Sequence, residues 1–298
     1  MNGIILVNKE MGYTSHDVVA KLRGMLRQKK IGHTGTLDPQ ATGLLPVCLG
    51  NATRICDLLT NKDKEYVAGI RFGVETDTQD IYGEVVSRRP ATVAEEELSL
   101  ALSEMLGEQE QLTPMFSARK VGGRKLCDLA RQGVTVERSP KKIRVLEIEL
   151  LSFAEAAGEA AFRVVCSPGT YVRTLCHDLG RRLGCGACMS SLRRTRVGDF
   201  SLAQAKTLAE IEESIADGSL GAAVQSVDSL FPDYPQAEVR SEEGRRLLAN
   251  GNPLRAEHLS ASADGRLRIY EDGEFRAIYE NNGTFYRPVK MFLPERKG

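Results

Sequence analysis

A chain of 298 residues is long enough for one large domain with a smaller one, or for two domains of medium size. Hydrophobic residues make up 42% and charged residues 27%, the balance of a globular protein with a sizeable core. The formal net charge of zero argues neither for nor against a nucleic-acid partner, and no apolar run approaches the roughly 18 residues of a transmembrane helix.

The N-terminal part predicts a strand, a capped helix and a glycine-rich loop. Residues 3–8 form an apolar run typical of a strand and lack the features of an export signal, so we expect a cytoplasmic protein. Thr14, with Asp17 three residues later, predicts a capping box ahead of an amphipathic helix. Four glycines and two prolines interrupt residues 30–50, which predicts a structured loop with a short strand at 44–49.

The middle of the chain alternates between strand and helix periodicity. The patterns first predict a strand over 65–76, a turn-rich stretch to 83 and a helix within 91–106. An exposed loop over 113–125 and a short helix over 126–131 follow. The last predicted elements of this part are paired strands over 143–153 and 160–166, a helix capped by Thr170, and a helix over 208–224. Residues 227–239 contain two prolines and predict a linker, and hairpin turns at 271–273 and 281–283 predict a small β-rich module after it.

Residues 119–144 form a locally basic segment. They contain nine lysines and arginines against only Asp128 and Glu137. Such a segment could follow a phosphate backbone, or it could be an ordinary solvated face. Charge alone leaves both interpretations open.

The seven cysteines are an odd number, which indicates reduced thiols rather than a disulfide framework. Cys185-x-x-Cys188 is half of a common zinc pattern, and Cys176 and His177 precede it. Adjacent residues of a helix point about 100° apart, so Cys176 and His177 are poorly placed to share one metal ion. We therefore expect buried or half-buried thiols and no metal.

Asp38 is the carboxylate of the loop G-H-T-G-T-L-D-P at 32–39. Pro39 disfavours helical geometry at Asp38, and flanking glycines allow a tight turn with a close approach by a ligand. A carboxylate held in this way could be a nucleophile, but the local pattern alone favours a turn-capping residue. A phosphate-binding loop is not indicated, because no Gly-Lys-Ser/Thr follows the glycines, and this argues against a nucleotide hydrolase.

Six segments between residues 9 and 195 bear on whether Asp38 is a nucleophile or a turn-capping residue. They are K-x-x-G-x-T-S at 9–15, G-H-T-G-T-L-D-P-x-A-T-G-L-L-P at 32–46, D-K-x-Y at 63–66, P-M-F-S-A-x-K-x-x-G at 114–123, G-T-Y-V-R at 169–173 and L-R-R-T at 192–195. In this order they resemble the TruB family of tRNA pseudouridine synthases. Glu10 departs from the proline usual in the family, and Cys127 stands where a tyrosine is common; neither position carries chemistry in this interpretation.

The resemblance implies an enzyme that isomerises uridine 55 of the tRNA T-loop to pseudouridine, without cofactor or metal. The family aspartate falls on Asp38, which would attack the ribose C1′ or assist departure through a glycal; both routes stay open. Arg173 matches the arginine that pairs with it, although alone it could be a phosphate contact or a surface ion pair. Tyr66 matches the tyrosine that stacks on the target uracil and could help to remove the C5 proton. Alone, Tyr66 reads as a core aromatic residue.

The remaining matches concern substrate binding. His33 matches the histidine that enters the T-loop in place of the flipped nucleotide, although a structural histidine would give the same local pattern. Tyr171 and Leu192 match residues lining the uracil pocket, and Leu192 alone would be read as core. Lys9, in the first segment, is assigned to substrate binding.

The resemblance also implies an α+β architecture. We expect a pseudouridine synthase fold over 1–230, with a mixed, largely antiparallel central sheet flanked by helices and loops, and a PUA-like β-barrel over 236–298. The basic loop over 117–144 would close over RNA and be mobile without it, and the small module would contact the acceptor-stem side of tRNA. We expect a monomer. An RNA-binding chaperone that folds tRNA, with catalysis secondary, is the alternative function.

Overall fold

The computed structural model describes residues 1–293, which form a large mixed sheet with flanking helices and a smaller C-terminal sheet. The strands are β1 (Gly3–Lys9), β2 (Ile31–His33), β3 (Thr42–Leu49), β4 (Lys64–Phe72), β5 (Val74–Thr76), β6 (Val85–Arg88), β7 (Gly107–Leu112), β8 (Lys120–Val121), β9 (Arg124–Lys125), β10 (Pro140–Ala154), β11 (Glu159–Cys166), β12 (Ala187–Val197), β13 (Phe200–Ser201), β14 (Val224–Gln225), β15 (Gln236–Glu238), β16 (Arg266–Glu271), β17 (Glu274–Asn281) and β18 (Tyr286–Met291). The helices are α1 (Ser15–Leu26), α2 (Cys56–Thr60), α3 (Glu95–Ser103), α4 (Leu126–Arg131), α5 (Val172–Arg182), α6 (Leu208–Ala216), α7 (Leu220–Ala223) and α8 (Glu242–Ala249).

The central sheet is mixed and largely antiparallel, as expected. Its strand order is β14-β1-β3-β12-β4-β11-β10-β7, with β2 added to β3 and β13 to β12. The neighbours pair antiparallel except for β3 and β12, which run parallel at Thr42–Arg193 and Gly43–Arg194. This parallel contact brings the glycine-rich segment next to a strand that lies about 150 residues later in the chain.

Helices cover the sheet because its strands are apolar on the faces that they bury. Helix α3 packs on β10 and helix α5 packs mainly on β12, and Leu98 and Leu175 share one buried cluster with Ile70 and Phe162. Helices α1 and α6 pack on one face of β1 and β3. Helix α1 begins as predicted, because the Thr14 and Asp17 side chains each accept a hydrogen bond from the other's backbone N–H. Among residues 1–293, no helix is both long and apolar enough to cross a bilayer.

Three sequence predictions differ from the structure in detail. The segment 30–50 is more regular than a loop, because Ile31 pairs with Leu49 and draws residues 31–33 into the sheet. The predicted strand over 65–76 is divided at Gly73, whose φ of +79° starts a separate hairpin. The predicted helix over 208–224 is divided at Gly218, with a φ of +78°.

The prediction that Thr170 caps a helix was wrong. Helix α5 has Tyr171 at its N-cap, without a side-chain hydrogen bond. The Thr170 hydroxyl instead donates to the Ser167 carbonyl at 2.9 Å, within the turn after β11. Thr170 therefore lies one residue before the N-cap position, and its hydroxyl stabilises the preceding turn instead of the helix.

The C-terminal part forms a second sheet of order β15-β16-β17-β18. Its hairpin turns lie where the sequence predicts them, and no closed barrel is formed by residues 1–293. The predicted linker is packed rather than extended, because Phe231 and Tyr234 join a cluster that contains Ile4, Ile278 and Phe292. Residues 294–298 of the predicted module lie outside the described residues.

Candidate active site

The loop that carries Asp38 is held by the first sequence segment. The Leu37 N–H donates to the Ser15 hydroxyl at 2.9 Å, and the Gly12 N–H donates to the Pro39 carbonyl at 2.9 Å. Within the loop, the Ala41 N–H donates to the Asp38 carbonyl at 3.0 Å. Segments 9–15 and 32–46 therefore form one unit, in which the first segment fixes the backbone on both sides of Asp38.

Lys9 belongs to this unit and not to a cavity wall. Its side chain is fully buried, and its ammonium donates to the carbonyls of Tyr13 at 2.7 Å, Glu10 at 3.0 Å and Pro39 at 3.3 Å. Burial lowers the pKa of Lys9 to about 8, opposed by the nearby Asp38 carboxylate. The geometry supports a role in holding the loop, and RNA contact by Lys9 would require these hydrogen bonds to break.

The other end of the loop is pinned by a close backbone approach. Gly43 has a φ of +102°, and a Cβ there would lie 2.2 Å from the Arg194 carbonyl oxygen, so only glycine fits. The Arg194 side chain is buried and donates to the carbonyls of Leu44 at 2.7 Å and Gly35 at 3.3 Å. Strand β12 thus secures both the start and the end of the Asp38 loop.

Asp38 and Arg173 are brought together, as the sequence predicts. An Nη2 of Arg173 lies 3.4 Å from the Asp38 carboxylate, with the arginine side chain 8% and the aspartate 45% exposed. The same guanidinium lies 3.7 Å from the Asp80 carboxylate and donates to the Phe116 carbonyl at 2.6 Å. A buried cation is therefore paired with a carboxylate that still reaches solvent.

Two cavities meet at this ion pair. The first, of about 280 Å³, is lined by Lys64, Tyr66, Tyr171, Leu192 and Arg194, among others. The second, of about 530 Å³, is lined on its far side by Gln40, Thr78, Tyr82 and Arg131, among others. They share a wall made of Thr36, Leu37, Asp38, Ser117, Ala118, Arg173, Met189 and Leu192. The first cavity is close to the lower limit of about 300 Å³ for small-molecule sites, a size suited to a single small ring.

The aromatic residues of the first cavity are firmly placed. Tyr66 projects from β4, and its burial raises the pKa of its hydroxyl, with the Arg194 guanidinium acting in the opposite direction. The backbone of Tyr171 exchanges two hydrogen bonds with the Gln111 side chain, at 2.8 and 3.0 Å. The Arg173 guanidinium lies 5.9 Å from the centre of the Tyr171 ring. The cavity is therefore lined by two tyrosine side chains together with Asp38.

His33 lies near these cavities but lines neither of them. Its Nδ1 accepts the Gly35 N–H at 3.3 Å, and its ring stands edge-on to His16, with 5.4 Å between ring centres. Burial lowers the pKa of His33, and the neighbouring His16 and Arg194 lower it further. A neutral imidazole is held on the rim beside the Asp38 loop.

Sequence reasoning did not assign roles to three residues of the site. Asp80 is the second carboxylate on Arg173, Arg194 holds the Asp38 loop, and Lys64 lines the first cavity. Burial lowers the pKa of Lys64 to about 8, and its ammonium donates to the Thr60 and Lys62 carbonyls, each at 2.6 Å. Lys64 and Arg194 fall within the matched segments, whereas Asp80 lies in a stretch read only as turns.

The cysteines of the half zinc pattern are buried thiols. Cys176, Cys185 and Cys188 all lie in the core, and burial raises the pKa of each. The His177 Nδ1 lies 3.7 Å from the Glu75 carboxylate. Within residues 1–293, no group of three or more histidine, cysteine, aspartate or glutamate side chains is placed to hold a metal ion.

Comparison with known proteins places this architecture in a family. Residues 23–172 match the sequence model of the TruB family pseudouridylate synthase (N terminal domain), and residues 173–231 match the tRNA pseudouridylate synthase B C-terminal domain. A tRNA pseudouridine synthase B from Lachnoclostridium phytofermentans is 46% identical, covering 98% of this chain and 100% of the relative. Another, from Bacillus velezensis, is 42% identical, covering 98% of each.

Two solved structures have a similar fold. A Cbf5-Nop10-Gar1 complex contains a chain with a TM-score of 0.72 and 27% identity, covering 98% of this chain and 85% of that one. An H/ACA RNP bound to a substrate RNA containing 2′-deoxyuridine contains a chain with a TM-score of 0.71 and 26% identity, covering 99% of this chain and 86% of that one. With a family match over more than half of its length and near full-length relatives, this chain belongs to the TruB family of pseudouridine synthases, which are isomerases.

Proposed function

We propose that this protein converts uridine 55 in the T arm of tRNA to pseudouridine, with Asp38 as the nucleophile. The observation that carries the proposal is the partly exposed Asp38 carboxylate, ion-paired with buried Arg173 at the mouth of a cavity lined by Tyr66 and Tyr171. The names of the full-length relatives, tRNA pseudouridine synthase B, support tRNA as the substrate.

The reaction is an isomerisation, so every atom of the substrate is retained. The N1–C1′ bond of the uridine breaks, a C5–C1′ bond forms, the C5 proton leaves, and N1 ends protonated. Asp38 attacks C1′ or assists departure through a glycal, and Arg173 holds its carboxylate by an ion pair at 3.4 Å. Because burial raises the pKa of Tyr66, its phenol stays protonated near neutral pH. Tyr66 therefore provides a stacking surface and a hydroxyl that can assist removal of the C5 proton through water.

The target base has to leave the RNA stack to reach this cavity. Uracil stacks on Tyr66 between Tyr171 and Leu192, and His33 on the rim fills the space that the flipped nucleotide vacates. The neutral form favoured by the lowered pKa of His33 suits stacking among bases. The exposed hairpin β8–β9, which carries Lys120, Arg124 and Lys125, grips the backbone of the T arm.

The C-terminal part would extend the RNA-binding surface. We infer a catalytic domain over 1–230 and a PUA-like module over 236–298 that contacts the acceptor stem. In support, Arg255 lies over the Phe285 ring at 5.6 Å, an arrangement suited to stacking with nucleotides. We also propose that the protein acts as a monomer in the cytoplasm. Light scattering with and without tRNA would test its monomeric state.

Tritium release from tRNA labelled at uracil C5, with mapping of the modified position, tests the reaction and the site together. Wild-type protein should release tritium from one T-loop uridine, and Asp38→Asn should release none while binding tRNA with similar affinity. Asp199→Asn, whose carboxylate is 96% exposed and away from both cavities, is the matched control and should retain full activity. Full activity of Asp38→Asn would refute the mechanism, and tRNA refolding without tritium release by the wild type would favour the chaperone alternative.

A further inference from the structure

Two buried polar atoms in the active-site wall have no hydrogen-bond partner among the described residues. They are the Ser117 hydroxyl oxygen and the Nε of Arg173, in residues that are 4% and 7% exposed. An unsatisfied buried polar group costs about 1–3 kcal/mol, so proteins keep few of them without a ligand or an ordered water. Both atoms therefore require an explanation that the protein's own contacts do not provide.

Their location indicates a substrate group. Ser117 and Arg173 both belong to the wall shared by the two cavities, which also contains Asp38. The Ser117 backbone is held on both sides, since its N–H donates to the Met115 carbonyl at 2.9 Å and its carbonyl accepts the Cys127 N–H at 3.0 Å. The Ser117 hydroxyl is therefore a buried group of the cavity wall, carried by a fixed backbone.

Stereochemistry identifies the part of the substrate that comes to this wall. In a ribonucleoside the base lies on one face of the sugar ring, and the 2′-hydroxyl lies on the opposite face. On the route in which Asp38 attacks C1′ opposite the departing base, which is the route that this inference concerns, the carboxylate approaches on the 2′-hydroxyl side, with that hydroxyl on the adjacent carbon. Groups beside Asp38 are in position to meet the 2′-hydroxyl.

Charge favours a neutral hydroxyl over a phosphate at this point. The single guanidinium of Arg173 already lies between the carboxylates of Asp38 and Asp80, at 3.4 and 3.7 Å. A phosphate here would meet two negative charges and one positive charge. A hydroxyl carries no charge and can both donate and accept, which matches one serine hydroxyl and one N–H donor.

We propose that Ser117, together with the Nε of Arg173, binds the 2′-hydroxyl of the target nucleotide and makes the site selective for ribose over deoxyribose. This assignment rests on the proposed function, because it takes the target ribose to lie against Asp38. It gives Ser117 a role in substrate selection, since the 2′-hydroxyl is the group by which a protein distinguishes RNA from DNA at one nucleotide.

A double-mutant cycle on binding tests the proposal. Asp38→Asn serves as the background to prevent turnover, and T-arm stem-loop RNAs carry either uridine or 2′-deoxyuridine at the target. With Ser117 intact, the deoxy substitution should raise the Kd about tenfold, and Ser117→Ala should raise the Kd for the ribose RNA by a similar factor. The two changes together should cost no more than either alone. A 2′-fluoro target, which keeps the sugar pucker of RNA, should behave like the deoxy target.

The controls separate recognition from a structural role. Ser191→Ala removes an exposed hydroxyl from the second cavity and should show no coupling to the 2′-hydroxyl. In the absence of RNA, Ser117→Ala should be at least as stable as its parent, because it removes an unsatisfied buried hydroxyl; a large loss of stability would indicate a structural role and overturn the proposal.

Independent, additive effects of Ser117→Ala and the deoxy substitution would overturn the assignment. Coupling of Ser117→Ala to a methylphosphonate beside the target, instead of to the 2′-hydroxyl, would show that the wall binds phosphate. Because the cycle measures binding, its failure is distinct from that of the proposed function, which an absence of tritium release would reveal.

Discussion

Single side chains beneath the active site support the loop that presents Asp38, and Lys9 is the most deeply placed of them. We expect Lys9→Met to lower the free energy of unfolding by about 2–4 kcal/mol, because a fully buried side chain loses three hydrogen bonds to backbone carbonyls. Urea denaturation measures this change, and the exposed Lys29→Met is the matched control, with an expected change within about 0.5 kcal/mol. Unchanged stability with weaker tRNA binding would instead favour the substrate-binding role predicted for Lys9.

The buried lysines also make stability depend on pH. The pKa values of Lys9 and Lys64 are lowered to about 8 from the ordinary 10.5, so between these values the unfolded chain binds more protons than the folded one. Stability therefore rises with pH across this window, by up to about 1.4 kcal/mol per pH unit for each lysine. The difference in unfolding free energy between wild type and Lys9→Met should increase from pH 8 to pH 10. A difference independent of pH would contradict the lowered pKa of Lys9.

At the scale of elements, the parallel contact between β3 and β12 depends on the absence of a side chain. We expect Gly43→Ala to destabilise the protein by at least about 2 kcal/mol, since its Cβ would meet the Arg194 backbone at a φ of +102°. Gly24→Ala in α1 is the matched control, with open space around its Cβ, and should stabilise the protein by about 0.5 kcal/mol. Thermal unfolding of both variants measures their difference in stability. Equal stability changes for Gly43→Ala and Gly24→Ala would show that Gly43 and the Arg194 backbone are not in close contact.

The exposed hairpin β8–β9 is an element expected to change on binding. Its two strands pair with each other at Lys120–Lys125 and Val121–Arg124, and the side chains of these four residues are solvent-exposed. Few buried contacts mean a low local stability, so its amides should exchange quickly in the free protein and more slowly with tRNA bound. Hydrogen exchange as slow as that of β4 without RNA would contradict this expectation.

An apolar cluster and a set of polar contacts connect the central sheet to the C-terminal sheet. Asn51 donates to the carbonyls of Phe292 and Leu293 at 2.9 and 3.0 Å, and Lys290 contacts the Asp57 carboxylate at 2.8 Å. By calorimetry, the wild type should unfold in a single transition. Phe292→Ala should lower the free energy of unfolding by about 3 kcal/mol and divide the transition into two. The half-exposed Val289→Ala should leave one transition, and two transitions in the wild type would refute this coupling.

Patterns local in sequence were predictable, whereas contacts between distant segments were not. The Thr14–Asp17 cap, the helix over 126–131 and the paired strands β10 and β11 all follow from nearby residues. Strand β2 was missed because Gly32 and Gly35 disrupt its pattern, although pairing with β3 stabilises it. Thr170 was misassigned because its hydroxyl had a closer acceptor in Ser167.

The site shows the same division. Asp38, Tyr66, Tyr171, Arg173 and Leu192 were named from sequence segments, and they line one cavity. The support from Arg194 depends on a strand pairing across the sheet, and that from Asp80 on the fold of a hairpin turn. Neither contact has a periodicity or a spacing from which it could be inferred.

The parallel pairing of β3 with β12 has a consequence for how the protein matures. Asp38 leaves the ribosome early, but Arg173 and Arg194, which hold the carboxylate and its loop, follow some 135 to 155 residues later. Contacts between such distant segments form slowly, because a long loop must close before they contribute. We therefore expect catalytic competence to arise only with the slowest refolding phase, after most secondary structure is present. A nascent chain that ends before β12 lacks the contacts of Arg194 with the Asp38 loop and should be unable to modify RNA.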